Sequence, residues 1–403
     1  MQVTPPSHSL GEALDWLYST QLFGIKLGLD NMTRLLREAG CYPLGRTRVI
    51  QVVGTNGKGS TSALMDSVAR AHGLRVGLFT SPHLIAFGER MRINGVEIPA
   101  PELVSHLEYF RDLVAEWDPH PTFFELTLAV ALRHFLQHRC ELIILEAGMG
   151  GRLDATSAVP RDLNVITPIG LDHQQYLGET LAEIAGEKGA VMQAGVPAVS
   201  APQEPEARAR LLEQASEVRT NLEFVTAPFT GLRIGLTGAH QAWNAALALE
   251  ALGTLLGAGA LRYDAVKTGL GDVTWRGRFQ RLTQPDGVTI LDCAHNVPAT
   301  TALVQTWQQE FPHDRPHLIF GASEDKNLTD VLALLLPLVR SVEVYQLKNP
   351  RGAKAEALLA LVSSLAPDLP CEVLPALAQA RSASHRLVVG SVFLAGEWLE
   401  QYP

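Results

Sequence analysis

Cysteine is scarce in this chain, and its few copies are far apart. The 403 residues include four cysteines, at positions 41, 140, 293 and 371, and no two of them form a C-x-x-C pair. This spacing argues against a zinc knuckle and against a disulfide framework. It is typical of reduced thiols in a cytosolic protein, so we expect a cytoplasmic location.

Long hydrophobic runs are also absent. The richest apolar stretch, Val331–Val339, is much shorter than the ~20 residues that cross a bilayer, and it contains Pro337. Residues 1–8 lack the basic start and the apolar core of a signal peptide. We therefore expect neither a membrane span nor a secretory leader.

Basic residues are outnumbered by acidic ones. The chain has 42 Asp and Glu against 33 Lys and Arg, which gives a formal net charge of -9. A chain of this sign is a poor electrostatic match for nucleic acid or an anionic membrane, so neither is an expected partner. If the substrates are anionic small molecules, basic groups must be concentrated locally.

What the chain does have is enough apolar material for more than one core. Apolar residues make up 46% of it, and at ~150 residues per domain its length predicts two or three domains. Short apolar runs alternate with segments of helical period, which indicates parallel sheets covered on both faces. In the first part of the chain the predicted strands are Arg48–Val53, Arg75–Phe79, Glu141–Leu145 and Leu163–Ile166, and the predicted helices are Lys58–His72, Glu102–Trp117, Phe123–His138 and Thr180–Gln193.

A glycine-rich segment, Gly269–Gly277, follows a long helical region that starts at Gln241, and we interpret it as a hinge. The predicted domains are therefore 1–272 and 273–403, with a ligand cleft expected between them. The predicted class is α/β, with an N-terminal P-loop-type domain built on a mostly parallel sheet and a smaller, Rossmann-like C-terminal domain. In the second domain the predicted strands are Val288–Leu291, Pro316–Phe320, Ser341–Tyr345, Cys371–Leu374 and Arg386–Val389.

The strongest local signal is the segment Gly54–Ser60, which lies between a predicted strand and a predicted helix. Glycines let backbone N–H groups turn around phosphate oxygens, and the helix N-terminus adds positive potential. Lys58 can reach the terminal phosphates of ATP, and the hydroxyl of Ser60 or Thr61 can bind Mg²⁺. The predicted ATP-binding residues of this loop are Gly54, Thr55, Asn56, Gly57, Lys58, Gly59, Ser60 and Thr61.

For three further polar residues, the chemistry alone leaves both a functional and a structural interpretation open. Glu146 ends an apolar strand, where a carboxylate faces the ligand crevice of such a sheet and can hold Mg²⁺, although a capping or ion-paired Glu is the alternative. His173 also follows a strand and is either structural or a ligand. Lys188 lies on a predicted helix, and by pattern alone a solvated surface lysine is the simpler reading.

Several blocks together resemble one known family, the folylpolyglutamate synthases and dihydrofolate synthases, which are relatives of the Mur peptide ligases. The blocks occur in the family's order and cover both predicted domains, so the resemblance is specific. They are Val53–Ser60, Thr80–Leu84 with Glu89-Arg90, Glu146–Thr156, Leu171–His173, Gly186–Gly189 and Leu291–Asn296.

The resemblance implies roles for the metal and phosphate site. Ser60, Glu146 and His173 would surround Mg²⁺, and Lys188 would be carbamylated by CO₂ into a carboxylate-like group. Such a reaction needs an uncharged amine, so this lysine must be desolvated or close to other cations. Lys58 and Lys188 are then predicted catalytic residues, ATP and Mg²⁺ are predicted cofactors, and K⁺ is a further candidate.

The resemblance also implies roles for residues later in the chain. Asn244, Arg278 and Asp292 would contact ATP, while His295 and Ser391 would bind glutamate. Asp292 and His295 follow a predicted strand and are also predicted to be catalytic. The folate acceptor contains a flat pterin, which needs an aromatic side chain to stack on it and polar groups to hydrogen-bond its edge. The predicted folate-binding residues are Ser81, Thr122, Phe124, Glu125, Asp154 and Ala155, with Leu27–Leu29 nearby.

The resemblance implies a monomer, and together with the residues it predicts an ATP-dependent carboxylate–amine ligase. It would join L-glutamate to dihydropteroate, or to a reduced folate that already carries glutamate, through an acyl phosphate. One alternative is a Mur-type ligase that adds an amino acid to a peptidoglycan precursor. Another is a P-loop ATPase or switch that is not a ligase and needs no glutamate.

Overall fold

A computed structural model of the chain describes residues 8–23, 28–257 and 259–402. These residues form two compact units. Unit 1 comprises the described residues of Met1–Pro82, Phe87–Arg233 and Trp243–Asp272. Unit 2 comprises those of His83–Ala86, Ile234–Ala242 and Val273–Pro403.

Unit 1 is built on a sheet whose described strands number eight, in the order β4-β3-β2-β5-β1-β6-β7-β8. All neighbouring strands are parallel except for the antiparallel pairs β2–β3 and β3–β4. The central strands are buried on both faces because helices cover them, as parallel strands require. The strands are β1 (Arg48–Val53), β2 (Val76–Phe79), β3 (Met91–Ile93), β4 (Val96–Glu97), β5 (Leu142–Glu146), β6 (Leu163–Ile166), β7 (Ala198–Ser200) and β8 (Leu222–Phe224).

Helices pack on both faces of this sheet and complete the core of unit 1. The α-helices are α1 (Leu10–Ser19), α2 (Asp30–Glu38), α3 (Lys58–Ala71), α4 (Ala100–Leu113), α5 (Phe123–Gln137), α6 (Gln174–Leu177), α7 (Leu181–Gly189), α8 (Pro205–Val218), α9 (Ala239–Leu256) and α10 (Tyr263–Asp272). Helix α9 begins in the Ile234–Ala242 segment of unit 2, and the rest of it lies in unit 1.

Unit 2 has a sheet of six described strands, in the order β13-β12-β11-β14-β10-β9. Only β9 runs antiparallel to its neighbour. The strands are β9 (Gln280–Gln284), β10 (Gly287–Leu291), β11 (His317–Phe320), β12 (Ser341–Val344), β13 (Cys371–Val373) and β14 (His385–Val389). The helices that cover them are α11 (Val297–Glu310), α12 (Leu328–Leu335), α13 (Ala355–Leu365) and α14 (Val392–Gln401).

The predicted α/β class with mostly parallel sheets is confirmed in both units. Strands β1 and β6 have the predicted bounds, and the other predicted strands are found within one residue at each end. The sequence analysis missed β3, β4, β7 and β8, which have two or three residues each, and the antiparallel β9. Strands this short carry too little periodic signal to be separated from loops.

The glycine-rich segment interpreted as a hinge starts inside helix α10, which contains its first four residues, and its role as a hinge stays a prediction. A Cβ at Gly269 would lie 2.5 Å from the Cα of Val68 on α3. Gly269 is therefore needed for close contact between two helices of unit 1.

No helix among the described residues is long and apolar enough to cross a membrane.

Candidate active site

Three adjacent parallel strands of unit 1 carry the predicted phosphate and metal residues. β1 pairs with β5 on one side and with β6 on the other, with Val52 opposite Glu146 and Val53 opposite Ile166. Because parallel strands end at the same edge of a sheet, the segments that follow them meet there. The phosphate loop, Glu146 and the segment 167–173 therefore share one edge, which we call the strand-end edge of unit 1.

The phosphate loop is packed so tightly that two of its glycines cannot be replaced. Gly54 has a φ of +141°, and a Cβ there would lie 1.9 Å from Thr167 Oγ1. Gly57 has a φ of +85°, and a Cβ there would lie 2.8 Å from Asn244 Oδ1. The structure thus brings Asn244, from helix α9, against the loop that precedes α3.

Two amides of the phosphate loop are turned toward protein. The amides of Thr55 and Asn56 donate to Pro168 O, at 3.0 and 3.2 Å. The Thr55 hydroxyl oxygen lies 3.0 Å from both the amide and the carbonyl of Gly170. The N–H groups available to an anion are instead those of the first turn of α3, which a helix cannot satisfy internally.

Both predicted catalytic lysines donate to one carbonyl oxygen. Lys58 Nζ lies 3.1 Å from Gly54 O and 3.1 Å from Thr55 O. Lys188 Nζ reaches the same Gly54 O at 3.0 Å from helix α7. The loop thus gathers two lysine side chains at the strand-end edge of a chain whose net charge is negative, and Lys58 supplies the local positive charge that anionic substrates require.

Lys188 is 4% exposed, so the reading of a solvated surface lysine is wrong. Burial and the neighbouring charge of Lys58 lower its pKa to about 7, against the opposing pull of Asp172 and Asp154. A large fraction of this amine is therefore uncharged near neutral pH. That is the form in which a lysine acts as a nucleophile.

The predicted metal ligands lie on separate segments of the strand-end edge. Ser60 is buried in the first turn of α3, and Glu146 is buried at the end of β5. Glu146 Oε2 accepts from the amide of Ser81 at 3.2 Å, which places that predicted folate residue beside it. His173 is exposed at the start of α6 with a φ of +53°.

Thr122 and Glu125, which are predicted to hydrogen-bond the polar edge of the folate, also form a helix cap. The Thr122 hydroxyl accepts from the amide of Glu125, and Glu125 Oε2 accepts from the Thr122 amide at 2.8 Å. Together they make the capping box of α5, which satisfies N–H groups that the helix leaves unpaired. The spacing T-x-x-E already predicts a capping box, and sequence reasoning passed over it.

Asp154 is likewise committed to its own loop. Its Oδ2 accepts from the amides of Gly148 and Met149, at 2.9 and 3.0 Å, and its Oδ1 accepts from the amide and hydroxyl of Thr156. Burial raises the pKa of Asp154, and these four hydrogen bonds oppose the rise. The carboxylate therefore shapes the loop after β5, with Ala155 buried next to it.

Aromatic side chains surround this loop, and an arginine that sequence reasoning left without a role lies among them. The Phe124 ring would meet a Cβ at Gly148 at 2.9 Å, and the Phe123 ring stacks on Tyr18 with centroids 5.7 Å apart. The guanidinium of Arg90 lies 5.3 Å from the centre of the Phe123 ring. Of the segment 27–29, Leu27 lies outside the described residues.

Arg90 connects these aromatic rings with the predicted metal ligand Glu146. Burial lowers the pKa of Arg90 to about 10, while Tyr18, Glu146 and Glu89 oppose that fall. In the sequence, Arg90 stands out only as part of the Glu89-Arg90 block that resembles the family. Its role depends on contacts with side chains distant in sequence, which no local pattern shows.

Unit 2 has its own strand-end edge, where β10 lies beside β14. Asp292 follows β10, and its Oδ2 accepts from the amide of Phe279 at 2.7 Å while its Oδ1 accepts from the amide of Ala294 at 2.8 Å. His295 Nδ1 lies 2.9 Å from Cys293 O. Ser391, after β14, is buried and caps α14 by accepting from the amide of Phe393 at 3.1 Å.

Arg278 is held next to Asp292 by its two neighbours in sequence. Gly277 has a φ of +71°, and a Cβ there would lie 2.6 Å from Cys293 Sγ, so only glycine fits. Phe279 is also in the left-handed region, with a φ of +43°, and its amide is bound by Asp292. A strained turn of this kind fixes the backbone position of Arg278, which lies between Gly277 and Phe279.

His240 is a candidate functional residue that sequence reasoning missed. Burial and the charge of Arg278 lower its pKa, and Asp292 opposes that fall, so its ring is close to both of these predicted ATP-binding residues. A Cβ at Gly238 would lie 2.6 Å from the His240 ring, which fixes the ring's position. The only sequence signal was its place four residues before Asn244.

Comparison with known proteins supports one family for this arrangement. Residues 277–394 match the family model described as Mur ligase, glutamate ligase domain. The dihydrofolate synthase/folylpolyglutamate synthase of Bacillus subtilis is 33% identical over 377 residues, which cover 86% of this chain and 87% of that protein.

Solved structures agree in fold over nearly the whole length. The folylpolyglutamate synthase of Mycobacterium tuberculosis complexed with ADP and AMPPCP has a TM-score of 0.88 and 28% identity, covering 98% of this chain and 99% of that one. A bifunctional folylpolyglutamate synthase/dihydrofolate synthase with Mn, AMPPNP and L-glutamate bound has a TM-score of 0.84 and 28% identity, with complete coverage of both chains. The chain therefore belongs to the dihydrofolate synthase/folylpolyglutamate synthase family of ligases.

Proposed function

We propose that this ligase uses ATP to join L-glutamate to dihydropteroate and to reduced folates that already carry glutamate. The observation that carries this proposal is the pair of lysines, Lys58 and Lys188, on the carbonyl of Gly54 at the strand-end edge of unit 1. A cation such as Lys58 at a glycine loop before a helix suits the terminal phosphates of ATP, and a buried neighbouring lysine of low pKa suits modification beside them.

The acceptor carboxylate would be activated first. One of its oxygens attacks the γ-phosphorus of ATP, the bond to the β-phosphate oxygen breaks, and ADP leaves an acyl phosphate behind. Lys58 would exchange the two carbonyls it now contacts for phosphate oxygens, and the first-turn amides of α3 would bind the same group. Both would stabilise negative charge as it shifts during transfer.

The residues present fit a divalent cation. Ser60 and Glu146 offer oxygen ligands and His173 an imidazole, a set that suits Mg²⁺ and Mn²⁺. The cation, when bound, would neutralise charge on the phosphates. Because Ser60 lies on α3 and Glu146 on β5, their side-chain oxygens would hold the cation in a fixed position. The proposed use of K⁺ rests on the family resemblance alone.

Lys188 would be carbamylated. Its uncharged Nζ attacks the carbon of CO₂, an N–C bond forms, one C–O π pair moves to oxygen, and the amine loses a proton to solvent. The product is an anion in place of a cation. The low pKa of Lys188, which burial and Lys58 produce, makes this possible near neutral pH.

Residues of unit 2 would bind the incoming glutamate and part of ATP. The uncharged amine of glutamate attacks the acyl carbon, an amide bond forms, and phosphate leaves with its bonding electrons and takes up the proton that the amine loses. We assign His295 and Ser391 of unit 2 to glutamate, Arg278 and Asp292 of unit 2 to ATP, and Asn244 of unit 1 to ATP as well. Asp292 orders this edge through the amides of Phe279 and Ala294, so it acts by positioning as well.

A side-by-side ligation assay tests the proposal. Purified protein is given ATP, Mg²⁺ and glutamate with either dihydropteroate or tetrahydrofolate, and products are sized by mass spectrometry. Addition of one glutamate to dihydropteroate and of one or more to the folate is expected. ATP hydrolysis that needs neither glutamate nor acceptor would contradict the proposal and favour a nucleotide switch.

Two expectations are untested and stay predictions. The monomeric state is checked by light scattering of the purified protein with and without substrates. The cytoplasmic location is checked by fractionating cells that produce the chain.

A further inference from the structure

A buried arginine of unit 1 joins the segment that follows β5 to the end of helix α7. We call residues 147–159, which contain two of the predicted folate residues, the acceptor loop. Arg161 Nη1 donates to Ser157 O at 2.9 Å and to Val159 O at 3.3 Å, both in this loop. Its Nη2 donates to Val191 O, just past α7, at 2.7 Å. One guanidinium group therefore holds the backbones of two separate segments.

The charge of Arg161 is buried without a carboxylate beside it among the described residues. Arg161 is 8% exposed, and burial lowers its pKa to about 10 with no neighbouring charge opposing the fall. A buried charge that lacks a counter-ion costs free energy, which an apolar side chain in its place would avoid. What the arginine contributes is geometry, because its rigid fork of N–H donors fixes several carbonyls relative to one another.

The acceptor loop meets the last turn of α7 at a second place. A Cβ at Gly151 would lie 2.7 Å from Glu187 O and 2.9 Å from Lys188 O, so the two backbones approach too closely for any larger residue. The amide of Arg152 donates to Glu187 O at 3.0 Å, and its Nη2 lies 2.7 Å from Glu187 Oε1. The loop therefore lies directly against the backbone that carries Lys188.

Hydrogen bonds within the acceptor loop connect the residue held by Arg161 to the predicted folate residue Asp154. The amide of Ser157 donates to Asp154 O at 2.8 Å, and the Ser157 hydroxyl donates to Gly151 O at 2.6 Å. Gln51 Nε2, on β1, lies 2.8 Å from the hydroxyl oxygens of both Thr156 and Ser157. A displacement of Ser157 would therefore move the whole loop.

Helix α7 has another anchor, on α8. Gln214 Nε2 donates to Gly186 O at 2.8 Å, and a Cβ at Gly189 would clash with Gln214 Oε1. This hydrogen bond goes to α7 and not to the acceptor loop. Gln214 therefore provides a comparison with Arg161, since it supports the helix of Lys188 from a neighbouring helix alone.

We propose that Arg161 is a positioning residue that couples the acceptor loop to Lys188. Through Val191 it fixes the end of α7, and so the place where Lys188 Nζ meets Gly54 O. Through Ser157 it fixes the loop on which the folate would be bound. The inference rests on the proposed function for the roles of these two sites, whereas the connection between them does not depend on turnover.

Two measurements that need no catalysis test this coupling. The first is the rate at which acetic anhydride labels Lys188 in CO₂-free buffer, followed by mass spectrometry, because a buried amine reacts only when its segment opens. The second is the Kd for dihydropteroate, from fluorescence titration with Mg²⁺ and AMPPCP present. The variants are Arg161→Met, which lacks the donors, and Gln214→Met as the matched control. Circular dichroism verifies that each variant folds.

Arg161→Met should label at Lys188 about 5-fold faster than the wild type and bind dihydropteroate about 5-fold more weakly, the effect of losing one hydrogen bond on each side. Gln214→Met should also label faster but keep the wild-type Kd. If Arg161→Met does not fold, Arg161→Lys, which keeps the charge without the second N–H arm, is measured in the same way.

A folded Arg161 variant with the wild-type labelling rate would overturn the proposal. Equal loss of dihydropteroate affinity in the Arg161 and Gln214 variants would also overturn it, since the effect would then be a general loosening of unit 1. Absence of dihydropteroate binding in the wild type would contradict the proposed function and the acceptor half of the coupling. The labelling comparison would still decide whether Arg161 positions Lys188.

Discussion

The two strand-end edges have the same topology and opposite chemistry. In unit 1, β1 runs into Gly54–Gly57 and helix α3, and in unit 2, β10 runs into Asp292–Asn296 and helix α11. The first loop has glycines, and the side-chain nitrogens of two lysines donate to its carbonyls. The second loop has an aspartate whose two oxygens hold backbone amides.

This difference indicates that the first loop binds a ligand directly, whereas the second loop holds its own backbone in position. A lysine that donates to a carbonyl oxygen can donate to a phosphate oxygen instead when ATP binds, so the exchange costs little free energy. A carboxylate that accepts two amides holds the loop and cannot leave without exposing unpaired donors. We therefore expect changes in the first loop to affect turnover, and changes in the second to affect stability as well.

The largest effect is expected from Lys58→Ala. Loss of a cation that stabilises the transferring phosphoryl group should lower kcat about 10²–10³-fold. The melting temperature should stay close to that of the wild type, because Lys58 is half-buried and donates to carbonyls of its own loop. Lys267→Ala, which removes an exposed lysine of α10, is the matched control in the ligation assay.

A near-normal kcat in Lys58→Ala would remove the basis for treating the first edge as a binding edge. A large fall in melting temperature would show that the lysine supports the loop, as Asp292 does in unit 2.

Asp292→Asn is expected to reduce both stability and activity. An amide can accept through only one of its atoms, so its NH₂ group would face the amide of Phe279 or Ala294. An unpaired buried donor costs about 1–3 kcal/mol, measurable by urea unfolding. If stability is unchanged and only the KM for ATP rises, Asp292 is a ligand contact and the contrast between the edges fails.

Much of this arrangement could be predicted because it is local. The run Arg48–Val53 followed by glycine defines a buried strand and a loop, and Glu146 and Asp292 were placed at strand ends by the same reasoning. What the sequence could not show depends on distant contacts. His240 lies near Asp292 from 52 positions away, and Gly269 is fixed by Val68 on another helix.

Lys188 gives a pH-dependent test within the first edge. Its pKa is about 7 in the folded protein and that of an ordinary lysine, 10.5, when unfolded. Between these values the unfolded chain binds more protons, so the free energy of unfolding should rise as pH increases from about 7 to 10.5. The Lys188→Met variant should lack this part of the rise, which urea unfolding at several pH values measures.

The pH dependence would separate the two lysines that share Gly54 O. A wild-type protein and a Lys188→Met variant with the same pH slope would mean that the ammonium stays charged, and carbamylation would lose its physical basis. Removal of CO₂ from the assay buffer should lower wild-type activity and leave the residual activity of the variant unchanged.

The smallest effect is expected at Ser391, where the capping role and the proposed glutamate contact predict different results. As a cap, Ser391→Ala should cost about 1 kcal/mol, while Ser391→Gly should cost only a few tenths because glycine caps a helix nearly as well. As a glutamate ligand, the hydroxyl is lost in both variants, so both should raise the KM for glutamate equally. Urea unfolding and glutamate titrations of the same two variants therefore separate the roles. A KM that follows stability, high in alanine and normal in glycine, would make Ser391 a positioning residue like Asp292 and leave His295 as the remaining glutamate candidate.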